Sequence, residues 1–169
     1  RIYLEKVKQF ENQDNLNQTF ADRAWMKRVM HLGGGGDGFE QNQIRTSLRG
    51  MEDIIEQNRY GGEVTSFFKT STDPIETSQS AALKNEINNG VSILTFFGHS
   101  SPNIFDFNFD DPNSYENTGR YPLLFSMGCF SGNCHTDNTG IGERFILEDQ
   151  KGAVAYVGST GYGFISALD

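Results

Sequence analysis

Apolar residues along this chain come in short unbroken runs set between longer amphipathic stretches. VSILTFF, residues 91–97, is apolar almost throughout, the pattern of a central strand covered on both faces. PLLFSM (122–127), AVAYVGS (153–159) and EVTSFFK (63–69) read as further strands, and WMKRVMHL (25–32), closed by glycines, reads as a buried one. Residues 40–58 carry Ile44, Leu48, Met51 and Ile55 at spacings of four, three and four, so they predict a helix with one apolar face. A second helix is expected to run from an N-cap at Thr77 or Ser78 to a stop at Asn89-Gly90, and GIGERFILEDQKG (140–152) predicts a short third. The opening segment RIYLEKVKQFEN also reads as a helix, with Ile2, Val7 and Phe10 near one face.

Strands alternating with helices predict an α/β fold: a mostly parallel sheet, wound right-handed, with helices on both faces in three layers. Residues 1–24 read as an N-terminal helix and linker, and residues 25–169 as the domain. Ligands of such sheets bind outside the carboxyl ends of the strands. That rule gathers Gly33–Gly38, Gly98–Ser101, Gly128–Asp137 and Thr160–Phe164 at one edge. Residues 98–121 form an unusually long connection, polar, aromatic and rich in Asp, Asn and Pro, and long connections inside compact domains are usually functional.

Composition narrows the partners. The 169 residues suit one compact domain, and the chain starts and stops in a way expected of a fragment of a longer protein. With 14 basic against 22 acidic residues the net charge is -8, and no basic stripe exists to track a phosphate backbone or an anionic membrane surface. Nucleic acid is therefore not an expected partner. No apolar run approaches the roughly 18–20 residues needed to cross a bilayer, and no charged-then-apolar signal peptide opens the chain.

The run Gly33-Gly34-Gly35-Gly36-Asp37-Gly38 formally satisfies a dinucleotide-binding GxGxxG after a strand. That reading needs an acidic residue at the end of the second strand to hold a ribose, and Lys69 stands there instead. A flexible loop built from turn-forming glycines is the simpler account. There is no Walker lysine and no GxSxG elbow, so the familiar nucleotide and serine-hydrolase chemistries lack support.

Two cysteines and one of three histidines fall in SMGCFSGNCH, residues 126–135. His31, inside a strand, is expected to be a buried, hydrogen-bonded core imidazole, and His135 a solvated loop residue. His99 differs, because it follows LTFFG at the carboxyl end of the most apolar strand and so projects into the crevice. Cys129 holds the equivalent place after the fourth strand, again behind a glycine, Gly128. If the two strands are neighbours, a thiol and an imidazole face each other across their tips. A cysteine nucleophile requires that arrangement, since the thiolate attacks and an adjacent base raises its fraction. Competing accounts of the stretch are a Cys129–Cys134 disulfide, a zinc site using Cys129, Cys134, His135 and His99, and an inert buried thiol.

The strand-Gly98-His99 and strand-Gly128-Cys129 pairs, with LKNEINNGVSILTFFGHSS, the SMGCFSGN turn and GAVAYVGSTG in this order, resemble the caspase-type cysteine peptidases of the gingipain family, and most the sortase-like peptidases of bacterial type IX secretion. The resemblance spans residues 25–169. It implies a caspase-like sheet, with Cys129 as nucleophile and His99 as general acid/base. It implies an oxyanion hole from the backbone N–H groups of Cys129 and of Ser100, where these peptidases commonly carry Gly. An acidic residue after the first strand, Asp37 or Glu40, would orient the histidine. Ser159, Thr160, Tyr162 and Phe164 would wall the primary specificity pocket.

The expected function is then a cysteine endopeptidase or sortase-like transpeptidase acting on protein substrates, in type IX secretion signal processing. A non-catalytic peptide-binding relative is the alternative, followed by a zinc-binding or nucleotide-binding domain. The resemblance also implies a bacterial cell-surface or secreted location and secretion-system partners. It requires no cofactor or catalytic metal, and it allows a structural Ca²⁺, for which the Asp and Asn residues of DFNFDDPN (106–113) offer donors without a recognisable loop motif.

Overall fold

A computed structural model describes residues 1–12, 18–109 and 111–163. Five strands, β1 (Arg28–Gly33), β2 (Glu63–Phe68), β3 (Ile93–Phe97), β4 (Leu123–Ser126) and β5 (Ala155–Gly158), form one sheet in the order β2-β1-β3-β4-β5, and every pairing between them is parallel. Among the described residues four α-helices accompany them: α1 (Ile2–Glu11), α2 (Gly38–Ile55), α3 (Ser80–Asn89) and α4 (Ile141–Leu147). The chain steps outward from β1 to β2, then returns past β1 and continues through β3, β4 and β5. Its direction therefore reverses between β1 and β3, the position where open α/β sheets leave a crevice.

Right-handed crossovers in opposite directions must place helices on opposite faces, and the core divides accordingly. Met30, Leu32, Leu94, Phe96 and Leu124 point to one face and pack against Leu83 and Ile87 of α3 and Ile141 and Phe145 of α4. Phe97 and Met127 point to the other and pack against Ile44 and Leu48 of α2. These two helical residues belong to the four whose spacing predicts α2, and the layered α/β architecture is as expected. β5 stands at one edge of the described sheet.

Several elements depart from the expected reading for identifiable reasons. Residues Ala24–Lys27 form a 3-10 turn, so the first strand begins only at Arg28. α3 begins at Ser80 with Gln79 in the cap position. Ser78 is not the cap because its amide and hydroxyl both donate to Oε1 of Glu76, at 2.9 and 2.6 Å. The 98–121 connection is a core builder and not a structureless loop. Phe105, Phe107 and Phe109 alternate into the main core, with Phe105 and Phe109 stacked at 4.5 Å between ring centres. Further on, Asn117 is buried and pairs with both backbone groups of Gly152, at 2.8 and 3.0 Å.

His31 is buried in the middle of β1 but is not hydrogen-bonded, contrary to expectation: neither ring nitrogen has a partner among the described residues. In register beside it lies Ser66, which spends its hydroxyl on Oε2 of Glu52 at 3.0 Å. Desolvation lowers the pKa of the imidazole below its usual value, which favours the neutral ring.

The face of α1 also differs. Ile2 and Phe10 remain partly exposed, and Lys6 is the residue that α1 buries. Its ammonium donates to the carbonyls of Phe145, Ile146, Glu148 and Lys151 at 3.0, 2.9, 3.2 and 2.6 Å. Those groups include carbonyls at the end of α4 that have no partner within the helix, so a cation there satisfies both hydrogen bonding and the helix dipole. Burial lowers the Lys6 pKa to about 8, with Glu148 and Asp149 opposing the shift, so the group stays charged at neutral pH. Tyr121 adds a hydroxyl bond to Gln9 at 2.5 Å. Replacing Lys6→Ala strands these carbonyls, and we expect it to lower the urea midpoint by the equivalent of about 2 kcal/mol. An unchanged midpoint would show that α1 is not anchored this way.

Candidate active site

The site forms where β1, β3 and β4 end. The first backbone amides of the glycine run are directed inward. Gly34 N–H donates to Phe97 O at 2.8 Å, extending the β1–β3 ladder, Gly35 N–H to Oδ2 of Asp106 at 2.8 Å, and Gly36 N–H to Oε2 of Glu40 at 2.7 Å. A phosphate cradle needs such donors free and aimed at the ligand. Here they are spent, and Lys69 is buried with its ammonium 3.8 Å from Asp106. Both observations count against the dinucleotide alternative that the sequence already disfavoured.

Asp37 and Glu40 have separate places. Asp37 is the N-cap of α2, and its Oδ1 accepts the amides of Phe39 and Glu40, both at 2.9 Å. An acid three residues after such a cap usually bonds back to the cap amide. Glu40 instead reaches one residue further, to Gly36, and the same Oε2 lies 2.8 Å from Nε2 of His99. Of the two acids, Glu40 alone contacts the histidine, while the Asp37 carboxylate is committed to the helix start. The side chain of His99 is 57% exposed and that of Glu40 23%, so the pair faces solvent from the histidine side.

His99 and Cys129 leave adjacent strands, β3 and β4. Ser100 links their loops: its hydroxyl donates to Cys129 O at 2.7 Å. Ser100 also forms an isolated antiparallel bridge with Phe105, closed by Asp106 N–H to His99 O and Ser101 N–H to Ile104 O, both at 2.9 Å. It therefore occupies the non-hydrogen-bonded place of that bridge, and its own amide points away from the partner. Among the described residues, the amides of Ser100 and Cys129 donate to no protein acceptor.

The Cys129 loop is held from several sides. Ser126 and Ser131, both buried, share a hydroxyl bond of 2.8 Å, and Ser131 donates to Gly128 O at 3.2 Å. Phe130 has a φ of 55°, an unfavourable conformation for a bulky residue, which its amide bond to Gly161 O at 2.8 Å and its ring contact with Tyr162 at 4.6 Å sustain. The half-buried thiol of Cys129 lies beside Gly163, 3.4 Å from its amide and 3.5 Å from its carbonyl.

Other expected residues fall as follows. Cys134 is exposed and both cysteines are free, so there is no disulfide between them. Among the described residues no cluster of three or more His, Cys, Asp or Glu side chains suits a metal, so the zinc arrangement does not form. Of the DFNFDDPN donors, Asp106 turns to Gly35, Asn108 donates to Ser80 at 3.0 Å and Asp111 accepts Asn113 N–H at 3.2 Å, while Asp110 lies outside the described residues. Ser159 closes its own turn on Gly161, Thr160 is exposed, Tyr162 is 76% exposed, and Phe164 lies outside the described residues.

Sequence reasoning missed Asp106 and Lys69 as parts of this region. Asp106 is 6% exposed, and desolvation raises its carboxyl pKa, with the Gly35 amide and Lys69 opposing the shift. Gly34 and Gly98 leave it room, since a Cβ at either would collide with its carboxylate.

Gly128 meets a similar limit, because a Cβ there would run into Ser100 Oγ. We expect Gly128→Ala to destabilise the protein by about 1–3 kcal/mol through overpacking, and most of that loss to disappear in a Ser100→Gly background. Equal losses in both backgrounds would contradict this contact.

The model of peptidase family C25 matches residues 1–169. Among solved structures, one described as a protease is similar at a TM-score of 0.75 and 17% identity, over 97% of this chain and 34% of that one. The Arg-specific cysteine proteinase gingipain R is similar at 0.69 and 14%, over 94% and 37% of the two chains. A complex of the pro- and mature domains of RgpB from Porphyromonas gingivalis is similar at 0.68 and 13%, over 93% and 37%. The chain thus spans about a third of the length of these structures. No curated protein sequence matches it. A family match over the full length, on a parallel sheet that gingipain structures share, means that this chain belongs to peptidase family C25.

Proposed function

We propose that the chain carries the catalytic centre of a cysteine peptidase acting on proteins, with Cys129 as nucleophile, His99 as general acid/base and Glu40 orienting His99. The observation that carries this reading is the 2.8 Å contact between Glu40 Oε2 and His99 Nε2, at the tip of the strand next to that of Cys129. An ionised carboxylate only accepts, so it makes Nε2 the donor and leaves the Nδ1 lone pair as the base for the thiol. The same contact holds the ring in place while the proton moves.

The thiolate attacks a peptide carbonyl carbon, and the carbonyl oxygen takes the negative charge. The amides of Ser100 and Cys129, which have no protein acceptor among the described residues, stabilise it. Collapse breaks the C–N bond, His99 protonates the departing amine, and a thioester on Cys129 remains. His99 then deprotonates the second nucleophile. Water as that nucleophile gives an endopeptidase, and an amine gives a sortase-like transpeptidase. The latter fits the type IX secretion signal processing, bacterial surface location and secretion partners that the sequence resemblance implies. Tyr162, exposed beside Phe130, and Thr160 lie on the loop nearest the thiol and supply apolar and polar contacts for a substrate side chain.

Turnover of an unfolded protein substrate tests the assignment. We expect Cys129→Ala to abolish it, His99→Ala to lower kcat by about 10²–10⁴-fold, and Glu40→Gln by roughly 10–100-fold, while Cys134→Ser leaves it unchanged. Activity that survives Cys129→Ala and falls with Cys134→Ser would overturn the reading.

A further inference from the structure

The His99–Glu40 couple is built on two loops that belong to different strands, and one buried residue touches both. Asp106 accepts Gly35 N–H through Oδ2 at 2.8 Å, and its own amide donates to His99 O at 2.9 Å. Gly36, the next residue of the glycine run, donates to the Glu40 oxygen that contacts His99. The backbone that carries His99 and the backbone that fixes Glu40 are thus both held by Asp106. Lys69, from the end of β2, supplies the compensating charge at 3.8 Å, and its amide bonds Gly33 O at 2.8 Å. The second carboxylate oxygen, Oδ1, is buried without a partner among the described residues and fills the space left by the missing side chains of Gly34 and Gly98.

A residue kept only for stability is poorly served here, because a buried carboxylate with a stranded oxygen and a loose ion pair costs folding energy that an apolar pair would not. Such features persist where they fix a geometry that function needs. We propose that Asp106, neutralised by Lys69, is a positioning residue that holds the Glu40 carboxylate against Nε2 of His99 and so selects the Nε2–H tautomer. It touches no substrate and acts through the Gly35–Gly36 amides on one side and the His99 carbonyl on the other. This proposal rests on the catalytic reading of His99 and Glu40.

Two variants separate positioning from bulk stability. Asp106→Asn keeps the shape but removes the carboxylate facing the buried Lys69 charge, which keeps only Pro74 O at 3.5 Å and the charge of Glu76. The Lys69→Met/Asp106→Asn pair removes both charges and should regain most of the urea midpoint lost by the single variant. We expect kcat to fall by about 10–100-fold in both, with KM within about twofold. In ring-nitrogen NMR spectra, His99 should show a single Nε2–H tautomer in the wild type and a mixture of tautomers in both variants. If the double variant regains kcat and the single tautomer together with its stability, or if Asp106→Asn changes neither, the positioning role is overturned. Absence of Cys129-dependent turnover in the wild type would instead sink the catalytic reading, and the His99 spectrum still decides whether Asp106 sets the tautomer.

Discussion

The architecture turns on how closely the tips of β1 and β3 approach each other. At Gly34 and Gly98 no Cβ fits, because the carboxylate of Asp106 occupies that space. The approach lets the β1–β3 ladder continue to Gly34, brings the start of α2 over the end of β3, and puts Glu40 within hydrogen-bond reach of His99. Larger residues at these glycines would displace the Asp106 carboxylate and disturb the approach that brings Glu40 to His99. The glycine run is a packing requirement first, and the positive φ of Gly35 then turns the chain into α2.

The arrangement divides labour among polar groups by burial. Asp106 and Lys69 are enclosed and act on the backbone, Glu40 is intermediate, and His99 opens to solvent. The thiol loop follows a different plan, held by two buried serine hydroxyls, a strained Phe130 and the Ser100 hydroxyl bond to Cys129 O. His99 and Cys129 are therefore tied to each other through Ser100 as well as through the β3–β4 pairing. The hydroxyl of Ser100 supplies a tether between the two loops that a glycine could not.

What could be read from the sequence follows from how local each signal was. β3 declared itself because a buried parallel strand is apolar nearly throughout, the other strands stood out as short apolar runs between amphipathic stretches, and the glycines behind β3 and β4 marked His99 and Cys129. Glu40 was legible as an acid near the β1 loop, and its spacing from Asp37 is that of a helix cap and its N3 partner; only the fold shows that it leaves this role for His99. Phe105, Phe107 and Phe109 alternate as a strand does, a signal present in the sequence but hidden among Asp, Asn and Pro residues. Asp106 and Lys69 were illegible because each meets partners distant in sequence, which gave the one the look of a cation ligand and the other that of a misplaced charge. Lys6 defied periodicity for a related reason: its stem buries as an apolar chain does, while its charge finds the end of α4, more than a hundred residues away.

Activation of one particular thiol is the central claim. Iodoacetamide labelling at near-neutral pH, with each cysteine followed by mass spectrometry, measures it directly and needs no knowledge of the substrate. Cys129, although less exposed than Cys134, should be modified faster, and that preference should fall when His99 is replaced by Ala. Equal, slow modification of both cysteines in the wild type would contradict the account.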